Sequence, residues 1–319
     1  MKRNVKDLKI IFMGTPHIAM EILAFLIDSN LNITCVVTQP DRPFGRKKET
    51  IPSLVKNMAL QNEIEVFQTE KIDHETIAFF KEKKPDLIIL VAFGILLPNE
   101  LLEIPTFGSI NIHPSLLPKF RGPSPIQTAL LKGESQTGIS IMLMSKKMDA
   151  GPILAQKKIE VGKNENYQEL EKHIIEISKD LLLDTMKQWI TKKITPKTQD
   201  ESKASFCEII SKRDGFIDWK QTSYQIFNQY RAFSKWPKIY SFWNDKKSKK
   251  KIIFNQIQVT SQTFPEKKPG EIFQIDNKVL IATNNGAIIL KIITPEGKNE
   301  MKIQEFVNGK PHFIGSKFE

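Results

Sequence analysis

Asn111 and His113 stand two residues apart in INIHPSLLPKFRG, residues 110–122. They end a β-patterned run, and a spacing of two puts both side chains on one face of a strand. An amide offers an N–H donor with no proton of its own to lose. An imidazole can donate to an oxyanion or carry a proton near neutral pH. Together they fit stabilisation of a tetrahedral oxyanion, where one well-aimed donor contributes roughly 3–4 kcal/mol. The quieter alternative is an Asn that caps the following turn and a His packed beside it. Asp149, in MDAGPIL at 148–154, adds a carboxylate that could pair with His113, fix its tautomer and raise its pKa. On its own, an Asp before Gly is also an ordinary turn former. Two proline-ended apolar loops, FGILLP at 93–98 and SLLP at 115–118, could wall a flat aromatic pocket.

Other chemistries find no support. FMGTPHIA follows an apolar run but lacks the later glycines of G-x-G-x-x-G, and no G-x-x-x-x-G-K-[ST] occurs. Cys35 and Cys207 lie far apart, which excludes a disulfide framework and a cysteine zinc site. No metal is expected.

The elements that must position these residues alternate. Residues 8–13 read as a strand, 17–27 as a helix and 32–39 as a β-branched strand. A Pro-, Gly- and charge-rich loop, PDRPFGRKKETIPS, comes next. Helix is expected at 53–61, a short strand at 65–69, helix at 73–83 and a strand apolar on both faces at 86–93. Helix near 97–103, a strand at 108–113 and helix at 123–132 continue the pattern. Near-continuous apolar strands between helices imply a parallel α/β sheet. Segments 138–145 and 152–161 read as two later strands, with antiparallel pairing at one edge an open arrangement, and 167–190 as a long amphipathic helix. TKKITPKTQDESKAS then reads as a linker. Beyond it a helix at 224–234 and five β-patterned runs between 238 and 294 suggest a small barrel.

Charge divides the chain along the same line. Residues 191–319 hold 23 Lys and Arg against 13 Asp and Glu, whereas residues 1–190 hold 24 against 23. A biased genome would spread the excess over both halves, so the basic second half implies a polyanionic partner. No run approaches a membrane span, and MKRNVKDLKIIFMG lacks an apolar signal core, so a cytoplasmic protein is expected.

N-x-H-x-S-L-L-P-x-x-R-G-x-x-P followed by MDAGPIL resembles the folate-dependent formyltransferase family. FMGTP, TQPDRPFGRKK and RAFSKWPKIYSFW resemble its members that act on methionyl-tRNA, so the likeness spans nearly the whole chain. It implies a Rossmann-like α/β catalytic domain over 1–190, a linker over 191–206 and an OB-like β-barrel tRNA-binding domain over 207–319. It implies Asn111, His113 and Asp149 as the catalytic trio. Ser115, Leu116, Leu117 and Pro118 would contact the tetrahydrofolate, with Phe93, Gly94, Leu97 and Pro98 in the pterin wall. Arg42, Arg46, Lys47 and Lys48 match a basic insertion that enters the tRNA acceptor stem; otherwise that loop is an ordinary solvated one. Phe44 and the KKET continuation depart from the family pattern, as do Lys146 and Lys147 before the Asp149 turn.

The expected reaction passes the formyl group of 10-formyltetrahydrofolate to the α-amine of methionyl-initiator tRNA. Asn111 and protonated His113 would hold the oxyanion, Asp149 would orient His113, and the protein would act as a monomer. KKSKKK at 246–251 would neutralise phosphates or merely keep a hairpin tip soluble. The competing expectations are transfer to a small amine, an RNA-binding protein with a decayed catalytic half, and a hydrolase that releases formate.

Overall fold

The structure is a computed structural model that describes residues 4–44, 49–245 and 248–319. Strands β1 (Ile10–Gly14), β2 (Ile33–Thr38) and β6 (Leu87–Val91) are buried along nearly every residue, as a sheet covered on both faces requires. With β5 (Val66–Gln68), β7 (Ser109–His113), β8 (Gln136–Leu143) and β9 (Ile153–Glu160) they form a seven-stranded sheet of order β5-β2-β1-β6-β7-β8-β9. Pairing is parallel from β5 through β7 and antiparallel between β7, β8 and β9. The antiparallel edge foreseen in the sequence is present.

Helices α1 (His17–Asp28), α2 (Leu54–Gln61), α3 (His74–Lys83), α4 (Asn99–Leu102), α5 (Pro125–Leu131) and α6 (Tyr167–Ile190) fall where the 3.6-residue period placed them. The starts of α2 and α3 are set by capping. Ser53 Oγ accepts the Lys56 N–H at 3.0 Å, and Asp73 Oδ1 accepts that of Thr76 at 3.1 Å. The loop expected after β2 instead forms a small hairpin of β3 (Arg42–Phe44) and β4 (Glu49–Ile51).

Two compact units result. The first comprises residues 1–125, 136–161 and 171–208; the second comprises 126–135, 162–170 and 209–319. The polar stretch after α6 lies within the first unit, where Lys197 pairs with Ile153 and the Ser205 N–H donates to Pro118 O at 3.1 Å. Hydrogen bonds to strand and turn backbone explain how a hydrophilic, Pro-containing segment is held with few apolar side chains of its own.

In the second unit, α7 (Ser223–Ala232) starts at a reciprocal Thr222–Gln225 capping box. β10 (Tyr240–Asp245), β11 (Ser248–Thr260), β12 (Ile272–Ile275), β13 (Lys278–Ala282) and β14 (Ala287–Pro295) make an antiparallel sheet of order β10-β11-β14-β13-β12, an OB-like half-barrel. A bulge near Asn255 bends the long β11, which curves the sheet. The sequence reading did not foresee β15 (Met301–Lys302), which pairs with β14, or α8 (Ile303–Gly309).

Candidate active site

β7 lies between β6 and β8 and carries Asn111 beside Leu90 and Met142, with His113 opposite Ser140. Asn111 is 9% exposed and His113 4%. Among the described residues nothing hydrogen-bonds the Asn111 carboxamide. Its polar atoms are not sealed from solvent, so at the strand end the N–H stays open to an incoming acceptor.

His113 is partnered on both ring nitrogens. Nε2 lies 2.8 Å from the carbonyl oxygen of Phe120, which can only accept, so Nε2 bears the proton. Nδ1 lies 3.7 Å from Asp149 Oδ2, and that same oxygen accepts the Gly122 N–H at 2.7 Å. Phe120 and Asp149 both hold left-handed backbone conformations, with φ of +57° and +48°. Such conformations persist where surrounding bonds over-determine them, and they concentrate at functional sites.

The expected protonation of His113 is corrected by this geometry. Burial pushes the imidazole below its ordinary pKa, and the opposing pull of Asp149 and of the Phe120 carbonyl is smaller. His113 is therefore neutral at rest, with the Nδ1 lone pair facing Asp149.

The SLLP turn is hung on the antiparallel edge of the sheet. Ser115 Oγ donates to Lys119 O at 2.5 Å, closing its own turn. Ser140 Oγ donates to Ser115 O at 2.7 Å and accepts the Leu117 N–H at 3.0 Å. Gln156 Nε2 donates to Leu117 O at 2.9 Å. Leu117 is buried, whereas Leu116 and Pro118 are partly exposed, and the Leu117–Pro118 peptide is cis. Leu116 packs over β8 only because position 138 is Gly: a Cβ there would lie 2.4 Å from Leu116 Cδ2 and 2.3 Å from Lys157 O.

FGILLP divides between core and surface. Phe93 and Leu97 are 3% and 2% exposed and pack with Ile11, Met13, Val37 and Leu90. Gly94 and Pro98 reach solvent, and so does Leu96, at 60% exposed. The loop's accessible apolar face is therefore Leu96 rather than Phe93 or Leu97.

Arg42 opens the β3–β4 hairpin with its side chain two-thirds exposed. Its Nη2 donates to Gln39 Oε1 at 3.2 Å and lies 3.8 Å from Glu70 Oε1. Gln39 Nε2 in turn donates to Phe93 O at 3.0 Å, which ties the hairpin to the FGILLP loop. Lys56 Nζ, bonded to Asp41 Oδ2 at 2.7 Å and Gln68 Oε1 at 2.8 Å, braces the hairpin base. Arg46, Lys47 and Lys48 lie outside the described residues, as do Lys246 and Lys247 of the KKSKKK segment. Lys146 and Lys147 are exposed.

The second unit carries a feature that charge counting missed. Phe216, Tyr240 and Phe242 cluster with ring centroids 5.8–6.1 Å apart. Lys251 Nζ sits 3.6 Å from the Tyr240 centroid and Lys249 Nζ 4.6 Å from that of Phe242. Aromatic faces interleaved with cations suit a single-stranded or looped nucleic acid. The alternation in KIYSFW and KKK carried the signal, but only strand pairing brings the two runs together. Among the described residues no group of His, Cys, Asp and Glu is arranged to hold a metal, and no helix is long and apolar enough to cross a membrane.

A family model for formyl transferase matches residues 8–186, and one for the formyl transferase C-terminal domain matches residues 209–311. The chain belongs to the formyl transferase family. A methionyl-tRNA formyltransferase of Enterococcus faecalis is 38% identical over 312 residues, covering 97% of this chain and 98% of its own. One from Thermotoga maritima is 38% identical over 314 residues, covering 98% of each. Among solved structures, an N-formyltransferase from Helicobacter canadensis, in complex with folinic acid and dTDP-3-aminofucose, superposes with a TM-score of 0.64. At 19% identity it covers 89% of this chain and 98% of that one, a likeness of fold. In this formyl transferase the β7 end, the SLLP turn and the Asp149 turn all lie within the matched catalytic region.

Proposed function

We propose that this formyl transferase moves the formyl group of 10-formyltetrahydrofolate onto the α-amino group of methionyl-initiator tRNA, giving N-formylmethionyl-tRNA and tetrahydrofolate. The observation that carries the chemistry is the Asn111 carboxamide, with no protein partner among the described residues and open to an incoming acceptor, on the strand face of a buried His113 that has a carboxylate beside it. The acceptor follows from the near full-length likeness to methionyl-tRNA formyltransferases, and from the aromatic and lysine patch and basic charge of the second unit. A charged tRNA as acceptor places the reaction in the cytoplasm.

Asn111 donates its N–H to the formyl oxygen as the methionyl amine attacks and the carbon becomes tetrahedral. The new C–N bond forms first; the bond from carbon to the folate nitrogen breaks as the tetrahedral oxyanion collapses, and one proton passes from the amine to that nitrogen. His113, neutral at rest, takes the amine proton on Nδ1, against Asp149, and becomes an imidazolium only when the oxyanion has formed. Positive charge then appears where negative charge develops, and the same proton leaves with the folate nitrogen. Gly94, Leu96, Leu116 and Pro118 form the accessible rim against which a flat pterin ring packs. Arg42 extends a guanidinium able to fork onto phosphate.

The test offers protein and 10-formyltetrahydrofolate four acceptors in parallel: methionyl initiator tRNA, uncharged tRNA, free methionine and glycinamide ribonucleotide. Formyl-methionine on charged tRNA alone is the expected result. Formylation of the small amine would remove the role given to Arg42 and the second unit, and formate without any acceptor would make the protein a hydrolase.

A further inference from the structure

Gln199 belongs to a stretch whose composition announces only a linker, yet its side chain is 6% exposed and uses its whole hydrogen-bonding capacity. Nε2 donates to Asp149 O at 2.8 Å and to Gly151 O at 2.7 Å. Oε1 accepts from Arg121 Nε at 3.1 Å and from Nη2 at 2.8 Å. Arg121 is 2% exposed and forks Nη1 and Nη2 onto Glu201, at 3.0 and 2.8 Å. Its backbone is held in turn, since the Arg121 N–H donates to Ser205 O at 2.8 Å.

The neighbours of Arg121 give this bridge a meaning. Phe120, just before it, supplies the carbonyl that holds His113 Nε2, and Gly122, just after it, supplies the N–H that holds Asp149 Oδ2. Gln199 grips the turn that carries Asp149 with its donors and the turn that positions His113 with its acceptor. One carboxamide therefore spans the two loops whose relative placement sets the Nδ1 to Oδ2 separation of 3.7 Å. Both loops contain a non-glycine residue at positive φ, Phe120 and Asp149, which needs external restraint.

We infer that Gln199 is a positioning residue for the reaction: it fixes the Asp149 turn against the 120–122 turn and so holds the Asp149 carboxylate at the distance from which it stabilises the His113 imidazolium. The inference rests on the formyl-transfer reading and on His113 and Asp149 as its proton-handling pair. The side chain is buried and its bonds all go to protein groups, so it acts on turnover and not on binding.

Two near-isosteric variants test it in the formyl-transfer assay. Gln199→Glu keeps the acceptor for Arg121 but has no donor for the Asp149 and Gly151 carbonyls; Gln199→Met keeps length and removes both. For each, kcat is expected to fall about 30-fold, with KM for methionyl-tRNA and for the formyl donor within twofold of the parent. The acid limb of kcat in Gln199→Met is expected to move to lower pH, because the Asp149 carboxylate no longer stands fixed beside His113. Glu201→Gln, which leaves the Gln199 bonds in place, is expected to keep kcat within threefold. A Gln199→Glu enzyme with kcat within threefold of the parent, or one altered in KM alone, would overturn the inference. Failure of both variants to fold would make Gln199 a structural residue and overturn it equally. An inactive parent protein would instead overturn the formyl-transfer reading itself.

Discussion

Replacing Asn111 by alanine should cost activity far more than stability. In the proposed reaction its amide is a donor to the developing oxyanion, and loss of one such donor lowers kcat by ~10²–10³, or about 3–4 kcal/mol of transition-state stabilisation. In the free protein the same amide has no hydrogen-bond partner among the described residues, and its polar atoms are not sealed from solvent. Truncation therefore removes no bond and loses only the packing of the deleted atoms, about 1 kcal/mol. At about 2–4 °C per kcal/mol for a unit of this size, Tm should fall by no more than about 4 °C. Steady-state formylation of methionyl-tRNA and thermal unfolding followed by circular dichroism measure the two quantities, and a filter-binding assay should find tRNA affinity unaltered. A fall in Tm well beyond that alongside kcat would mean that Asn111 is a structural cap. A kcat within tenfold of the parent would remove it from the oxyanion site.

Because burial depresses the His113 pKa, kcat should rise with pH through a value below the ordinary 6.5 and be flat by neutral pH. Asp149→Asn should lower the plateau and carry that limb further into acid, since the carboxylate opposes the depression; a limb above pH 7 in the parent would refute neutral His113. The same depression stabilises the fold fully above the unfolded-state value and is lost as pH falls through the folded one, so urea midpoints should drop on acidification and less steeply in His113→Gln. Gly151→Ala would place a Cβ 1.8 Å from Leu143 O, and backbone displacement of that kind should cost roughly 1–3 kcal/mol, read as a lower Tm together with a lower kcat. An unchanged Tm would show that the Asp149 turn is not held against β8. Arg42→Gln should raise KM for methionyl-tRNA at least tenfold and leave that for the formyl donor within twofold; equal losses would place Arg42 elsewhere. With about six phosphate contacts, tRNA affinity should fall roughly a thousandfold between 50 and 200 mM salt, and a flat salt response would exclude the basic unit from binding.

Much of this was legible in the residues themselves. Period alone located β1, β6, β7 and α6, because a strand buried on both faces and a long amphipathic helix carry their own signatures. The i, i+2 spacing by itself puts Asn111 and His113 on one face of a strand end. What period could not show were contacts between distant segments. The Arg42 hairpin was read as loop because three-residue strands leave no alternation to detect. The apolar run FGILLP does not show by itself which of its residues pack inward, and in the fold Phe93 and Leu97 join the core while Leu96 faces out.

The chain's local chemistry thus determined the parallel α/β unit, the basic second unit, and the amide, imidazole and carboxylate that could meet at one rim. The tertiary structure decided how they meet. Burial, which no single residue encodes, outweighs the Asp149 carboxylate and leaves His113 neutral. Gln199, 50 residues from Asp149 and 78 from Arg121, fills its bonds only where the folded chain brings three turns together. Desolvation and long-range hydrogen bonding are sums over neighbours in space, so they become visible only once the sheet has placed those neighbours.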